Sequence, residues 1–190
     1  LKTIMGLVVP QSGKILLKGQ SMHSLRTHEI AASGISYVPQ GREIFEDFSV
    51  KENLRLGTLR NPRGKRKIPD EIFDYFPILA ERENQRAGSF SGGEQQILAI
   101  ARALVSHPKL LLLDEPSEGI QPSIVDQICE ILKKIRFETG LTILVVEQNV
   151  DMILDIADSC AFMERGRIVE TCSVQDVCKD DRIITRHMAV

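Results

Sequence analysis

At 190 residues the chain is long enough to bury a sizeable core without a metal or disulfide staple. Its 24 Lys+Arg against 26 Asp+Glu leave a formal net charge of −2, which gives no general attraction for nucleic acid or anionic lipid. With 43% hydrophobic and 26% charged residues, and no apolar run near the ~20 residues of a spanning helix, the composition excludes disordered, collagen-like, disulfide-scaffold and helical membrane-spanning classes.

In chain order, Leu1 to Met5 reads as helix stopped at Gly6, with Pro10 and Gly13 turning the chain. Lys14 to Gly19 reads as a short strand. His28 to Ala32 is helical and breaks at Gly34, and Ile35 to Val38 is a strand stopped by Pro39. Val50 to Leu56 repeats apolar residues at helical spacing. The stretch 61–67 (NPRGKRK) is a basic Pro/Gly loop, read as a solvated turn rather than a nucleic-acid contact, and Pro69 to Phe76 is a short helix. Ser91 opens a long helix through Leu104, with Ile97, Leu98, Ile100, Ala101 and Leu104 on its apolar side.

Leu110 to Leu113, bounded by Pro108 and Pro116, has the pattern of a strand buried on both faces. A helix from Pro122 to about Phe137 follows, ended near Gly140. Thr142 to Val146 reads as another buried strand and Val150 to Ala157 as a helix. Cys160 to Met163 and Arg167 to Thr171 flank Arg165-Gly166 as a hairpin, and Val174 to Cys178 begins the last helix. Alternating strands and helices predict an α/β sheet. Residues 41–105 interrupt that rhythm with helices only, so the expected organisation is a core in two parts, 1–40 and 106–190, around an inserted helical subdomain.

Cys129, Cys160, Cys172 and Cys178 form no C-x-x-C pair and have no His at zinc-ligand spacing, so buried or half-buried thiols are expected. His23, His28, His107 and His187 read as scattered surface residues without an acid partner.

Two constellations carry chemistry. In Leu110-Leu-Leu-Leu-Asp114-Glu115-Pro116 an apolar strand ends in two carboxylates, at the sheet edge where α/β folds bind ligands. The first can hold Mg²⁺ and the second can take a proton from an attacking water; the alternative is an acidic strand end that merely caps the next helix. In Ser91-Gly92-Gly93-Glu94-Gln95 two glycines at a helix start allow close approach of a phosphate. The alternative there is a plain Ser91–Glu94 capping box.

Together, Phe90-Ser-Gly-Gly-Glu-Gln-Gln, Ala99-Ile-Ala-Arg-Ala-Leu104, Pro108 and LLLLDEP resemble the signature-to-Walker-B stretch of ATP-binding-cassette ATPases, and the likeness covers essentially the whole chain. Tyr37-Val-Pro-Gln40 with Phe45, Phe48-Ser-Val50 and Glu52-Asn53-Leu54 resembles the family's Q-loop and following helix. Ser117 to Pro122 takes the place of the D-loop, and Glu147-Gln148 that of the switch. Gly41-Arg-Glu-Ile-Phe45, Glu94-Gln-Gln96 and Val146-Glu-Gln-Asn149 are similar to the ATPases of branched-chain amino-acid importers and of related urea and short-amide importers. Ser117 to Pro122, Phe162 to Gly166 and the terminal Arg186 to Val190 lean to the urea branch.

The resemblance implies a P-loop NTPase-type core, a mostly parallel sheet with flanking helices, and the inserted helical subdomain. It places the Gly-x-x-x-x-Gly-Lys-Ser/Thr loop (Walker A), with its preceding strands, before Leu1; the chain is expected to be a piece short of its first fifty or so residues. It implies ATP and Mg²⁺, with Glu115 as general base, Gln148 at the γ-phosphate, Gln40 and Asp114 at the metal, and Gln40 also at the nucleotide. Ser91, Gly92, Gly93 and Glu94 would contact the nucleotide held by a second cassette. Gln148 stands where most of the family has His, so no imidazolium forms there.

The expected function is the ATPase subunit of a branched-chain amino-acid importer. Partners would be transmembrane permease subunits and a second cassette in a homo- or heterodimer, on the inner face of the cell membrane, with no nucleic acid and no insertion of this chain into the bilayer. Alternatives are a urea or short-amide importer ATPase, a soluble cassette of DNA repair or translation, and a non-catalytic cassette unable to bind ATP alone.

Overall fold

The computed structural model describes residues 1–61, 66–180 and 182–188, so residues 62–65 of the basic loop and the end of the Arg186–Val190 motif lie outside the described residues. Three parallel strands, β3 (Ile35–Val38), β4 (Leu110–Asp114) and β5 (Thr142–Val146), form a sheet in the order β3-β4-β5. The register pairs Val38 with Leu113 and Asp114 with Val146, which brings the carboxyl ends of all three strands to one edge.

β4 is central, and its apolar run serves both faces. Leu111 and Leu113 join the large core and Leu112 a smaller one with Met5, Met22, Ile30 and Ile35, all three leucines being fully buried. Burying each such side chain contributes about 1.5–3 kcal/mol. β5 departs from its expected double burial: Ile143 and Val145 pack on the core, while Leu144 and Val146 are 41% and 44% exposed. Among the described residues β4 is the only strand paired with it, and no element covers its second face.

The first residues form a single turn, closed by Met5 N–H to Leu1 O at 3.2 Å, rather than a helical element. The expected strand at 14–19 is instead a tight hairpin of β1 (Leu16–Leu17) and β2 (Gln20–Ser21). Lys18 and Gly19 both take left-handed φ, 49° and 81°, the backbone a two-residue antiparallel turn requires. Helix α1 (Thr27–Ala32) precedes β3.

Residues 41–105 hold helices α2 (Val50–Gly57), α3 (Asp70–Tyr75), α4 (Pro77–Glu81) and α5 (Gly92–Leu104), with single 3-10 turns at Thr58–Arg60 and Ala87–Ser89. Proline is favoured at a helix's first position, and Pro77 there starts α4 as a second helix after the one expected at 69–76. α2 and α5 touch at Gly57, where an added Cβ would lie 2.2 Å from the Arg102 carbonyl oxygen.

After β4 the chain adds α6 (Pro122–Thr139), closed by left-handed Gly140 at φ 70°, then α7 (Val150–Ile156) and the hairpin β6 (Ser159–Glu164)–β7 (Arg167–Ser173). The last helix of the sequence reading is two, α8 (Val174–Lys179) and α9 (Arg182–Met188), parted where Asp180 leaves helical geometry and accepts from the Arg182 backbone. No helix of the described residues is long and apolar enough to cross a membrane.

All four cysteines are free. Cys129 is buried, which pushes its thiol up to about 11, and Cys160 and Cys172 face each other across β6 and β7, half-buried. Cys178 departs from the expectation by being exposed.

His187 also departs from its reading as an unpaired surface residue. Its side chain is 8% exposed, with Nε2 2.9 Å from Glu170 Oε2 and Nδ1 2.8 Å from Glu164 Oε1. Phe162 stacks on the ring at 4.7 Å, and Arg186 pairs with Glu170 at 3.4 Å. The two carboxylates, Glu170 first, hold the imidazole above its ordinary value of 6.5. A raised folded-state value stabilises fully below the unfolded one and is lost as pH rises through the raised one. Amide exchange in α9 is therefore expected to be slow below about pH 6.5 and to accelerate at higher pH, and His187→Ala to remove that dependence. Wild-type exchange that follows only the intrinsic pH law would refute this.

Candidate functional site

The ends of the three strands position the expected catalytic group. Gln40 follows β3 by two residues, Glu115 follows β4 directly, and Gln148 follows β5 by two. Glu115 Oε1 accepts from Gln148 Nε2 at 2.9 Å, and its Oε2 from Gln40 Nε2 at 3.3 Å. Gln40 Nε2 also donates to Glu118 Oε2 at 3.0 Å. Two neutral amides thus hold the Glu115 carboxylate from opposite strands.

The backbone beneath is tightly set. Glu115 takes φ 46°, uncommon for a residue with a side chain, and its N–H donates to Val146 O at 2.8 Å. After Gln40 come three left-handed residues in succession, Gly41, Arg42 and Glu43, at φ 81°, 72° and 46°. At the residues with side chains, Glu115, Arg42 and Glu43, such backbone costs of order 1–3 kcal/mol each and persists only where surroundings enforce it, while Gly41 adopts it freely. Arg102 of α5 does so here: it donates to Glu43 O at 2.8 Å and stacks over Phe45 at 5.4 Å.

Asp114 accepts from the Tyr37 hydroxyl through Oδ2 at 2.7 Å. Burial first, and then this bond, push the Tyr37 hydroxyl well above its ordinary range, so it stays a donor. Asp114 Oδ1 and the Gln40 amide oxygen have no hydrogen bond from the described residues, and no group of three or more acidic, His or Cys side chains gathers at metal spacing among them. Two free hard oxygens without a protein cage suit Mg²⁺, which keeps waters and substrate phosphate oxygens as ligands.

Ser91 is the N-cap of α5, and the capping box forms: Ser91 N–H donates to Glu94 Oε2 at 2.8 Å and Glu94 N–H to Ser91 Oγ at 3.4 Å. Glu94 also pairs with Arg82 at 2.9 Å, and the Ser91 backbone bond leads the contacts that hold its carboxyl below the usual range. The box coexists with a bare helix start, because Gly92 and Gly93 are the first two helical residues and their N–H groups have no intrahelical acceptor. An added Cβ at Gly93 would come within 2.8 Å of Ile124 Cγ2, so close packing against α6 also requires this glycine.

No hydrogen bond among the described residues joins Ser91–Glu94 to Gln40, Asp114, Glu115 or Gln148. The two groups meet through Arg42, whose guanidinium lies beside Gly92 and donates to Glu118 O at 3.3 Å. Tyr37, Arg42 and Glu118 lie inside motifs the sequence singles out but receive no role there, because only the folded register brings them to these partners.

A parallel sheet whose carboxyl edge gathers a paired carboxylate, two amide side chains and a glycine helix start defines an α/β protein of the nucleotide-binding kind. A family model described as "ABC transporter" matches residues 1–118. The chain is 45% identical over 170 residues to the high-affinity branched-chain amino acid transport ATP-binding protein BraG of Pseudomonas aeruginosa, covering 89% of this chain and 72% of that one. It is 36% identical over 184 residues to the probable branched-chain amino acid transport ATP-binding protein LivF of Archaeoglobus fulgidus, covering 96% and 78%. Among solved structures, a dimeric ATP-binding cassette in a post-hydrolysis state bound to ADP and Pi matches with a TM-score of 0.80 at 23% identity, over 91% of this chain and 78% of that one. The chain belongs to the ABC transporter ATPase family.

Proposed function

We propose that this chain is the ATP-hydrolysing subunit of a branched-chain amino-acid importer. The observation that carries the chemistry is the Glu115 carboxylate held between Gln148 Nε2 and Gln40 Nε2 at the sheet edge. The substrate class is supported by the names of the two bacterial and archaeal relatives.

In this reading Glu115 takes the proton of the attacking water, and Gln148 orients it while offering a hydrogen bond to the γ-phosphate. Asp114 and Gln40 would hold Mg²⁺ through their free oxygens; when bound, the ion neutralises charge on the β- and γ-phosphate oxygens. Ser91, Gly92 and Gly93 present a helix start to the nucleotide of a second cassette. Glu94 serves that contact by fixing the cap, since its own carboxylate is held by Ser91 and Arg82.

Residues 41–105 would move as a unit about the left-handed turn at Gly41. Phe45 and Phe48, stacked at 5.4 Å and 50% and 41% exposed, offer an apolar contact to a helix of a transmembrane permease. In this reading the subunit sits against its permeases on the inner face of the membrane.

The test is the complete cassette purified with its permeases and reconstituted in vesicles. Leucine, isoleucine or valine is expected to stimulate ATP turnover and to accumulate, while urea does neither. Stimulation by urea alone would move the assignment to the urea and short-amide branch, and a complex that hydrolyses no ATP would overturn the reading.

A further inference from the structure

We infer that Glu147 is a positioning residue for hydrolysis, a clamp that locks the loop bearing Gln148 to the loop bearing Glu115. The inference rests on the ATPase reading above.

Glu147 contacts backbone only and touches no side chain assigned to substrate or metal. Its Oε1 accepts from the backbone N–H of Gln148 at 2.9 Å and of Asn149 at 3.1 Å, and its Oε2 accepts from Ser117 N–H at 3.1 Å. A turn cap ahead of α7 needs only the first two bonds, and Asn149 already caps that helix by accepting from Met152 N–H at 3.1 Å. The third bond reaches across 30 residues to the loop two positions beyond Glu115.

The two loops are thereby stitched at three points: Glu115 N–H to Val146 O, Ser117 N–H to Glu147 Oε2, and Gln148 Nε2 to Glu115 Oε1. The last is the contact that orients the general base. It joins two exposed side chains, so its geometry depends on how firmly the backbones beneath are registered. An ionised carboxylate only accepts, so one side chain can satisfy N–H groups on both sides at once. Glutamine at 147 would turn a donor towards one of these loops and release it.

Amide hydrogen exchange tests the clamp in this chain without nucleotide. Glu147→Gln is expected to speed exchange at Ser117, Gln148 and Asn149 by roughly tenfold or more while Leu112 in β4 is unchanged. In the complete cassette the same variant is expected to lower kcat by roughly 10- to 100-fold, with KM for ATP within about twofold, because misplacement of a reacting group acts on the chemical step. Glu147→Asp keeps the charge but is one methylene short of spanning both loops; it serves if Glu147→Gln does not fold, and its kcat falls by less. Combined with Gln148→Ala, Glu147→Gln is expected to cost less than the product of the two single losses.

Unchanged exchange at Ser117 would overturn the clamp. Unchanged kcat, a raised KM at constant kcat, or fully multiplicative losses would overturn its part in hydrolysis. If the wild-type cassette hydrolyses no ATP the ATPase reading fails, and amide exchange still decides whether the clamp exists.

Discussion

Glu115→Gln in the complete cassette is expected to lower ATP turnover by about 10²–10⁴-fold while leaving nucleotide binding intact, which traps two cassettes closed around unhydrolysed ATP. The substitution is nearly isosteric. Glutamine retains one oxygen to accept from Gln148 or Gln40, which now donate to the two carboxylate oxygens at 2.9 and 3.3 Å. What it removes is the capacity to take a proton from water. The loss belongs in kcat, because binding contacts to the phosphates come from other groups. Single-turnover hydrolysis, equilibrium ATP binding and the oligomeric state on a sizing column measure the three parts separately. Undiminished turnover would show that another group receives the proton, and a loss of binding would show that Glu115 holds the nucleotide or its metal.

Gly57→Ala is expected to be the most destabilising of the conservative glycine substitutions, and its cause lies in packing. The new Cβ would sit 2.2 Å from the Arg102 carbonyl oxygen and 3.2 Å from its carbonyl carbon. Those are backbone atoms of α5, so no side-chain rotation relieves the clash and the α2–α5 contact must open. Overpacking of this kind costs about 1–3 kcal/mol and sometimes more, against a total stability of order 5–15 kcal/mol. At Gly92, by contrast, the atoms in the way belong to the mobile guanidinium of Arg42. A lowered denaturation midpoint with an unchanged slope would confirm the effect; an unchanged midpoint would show that the two helices part without cost. Because α5 begins with Gly92 and Gly93 and carries Arg102 against Glu43, its displacement would also disturb both halves of the candidate site.

The alternation of strands and helices is legible in the sequence because α/β packing writes itself into local pattern. The run at 110–113 reads as doubly buried because a central strand faces two cores, and Ser91, Pro122 and Gly140 mark helix ends through local chemistry: a capping hydroxyl, a fixed φ and a tolerated left-handed φ. The hairpin at 16–21 is not legible as such, since a Lys-Gly pair at left-handed φ is a weak signal beside a short apolar run. β5 misleads for the opposite reason: its run is apolar throughout, yet Leu144 and Val146 lie on a face no described element covers. His187 is opaque because its partners, Glu164 and Glu170, stand 23 and 17 residues away on a hairpin.

By itself the amino-acid sequence determined the family and the order of the chemical groups, and it singled out Gln40, Asp114, Glu115 and Gln148 as candidates, because side chains suited to phosphate chemistry stand there at a spacing that local structure imposes. Only the tertiary structure decided what touches what. Parallel register brings strand ends from distant parts of the chain to one edge, so that Gln40 and Gln148, 75 and 33 residues from Glu115 in sequence, grip the same carboxylate. The same register lets Tyr37 hold Asp114 and Glu147 join two loops. Hydrogen bonds between segments so far apart leave no periodic trace in a sequence, since they depend on where the whole sheet places its strand ends.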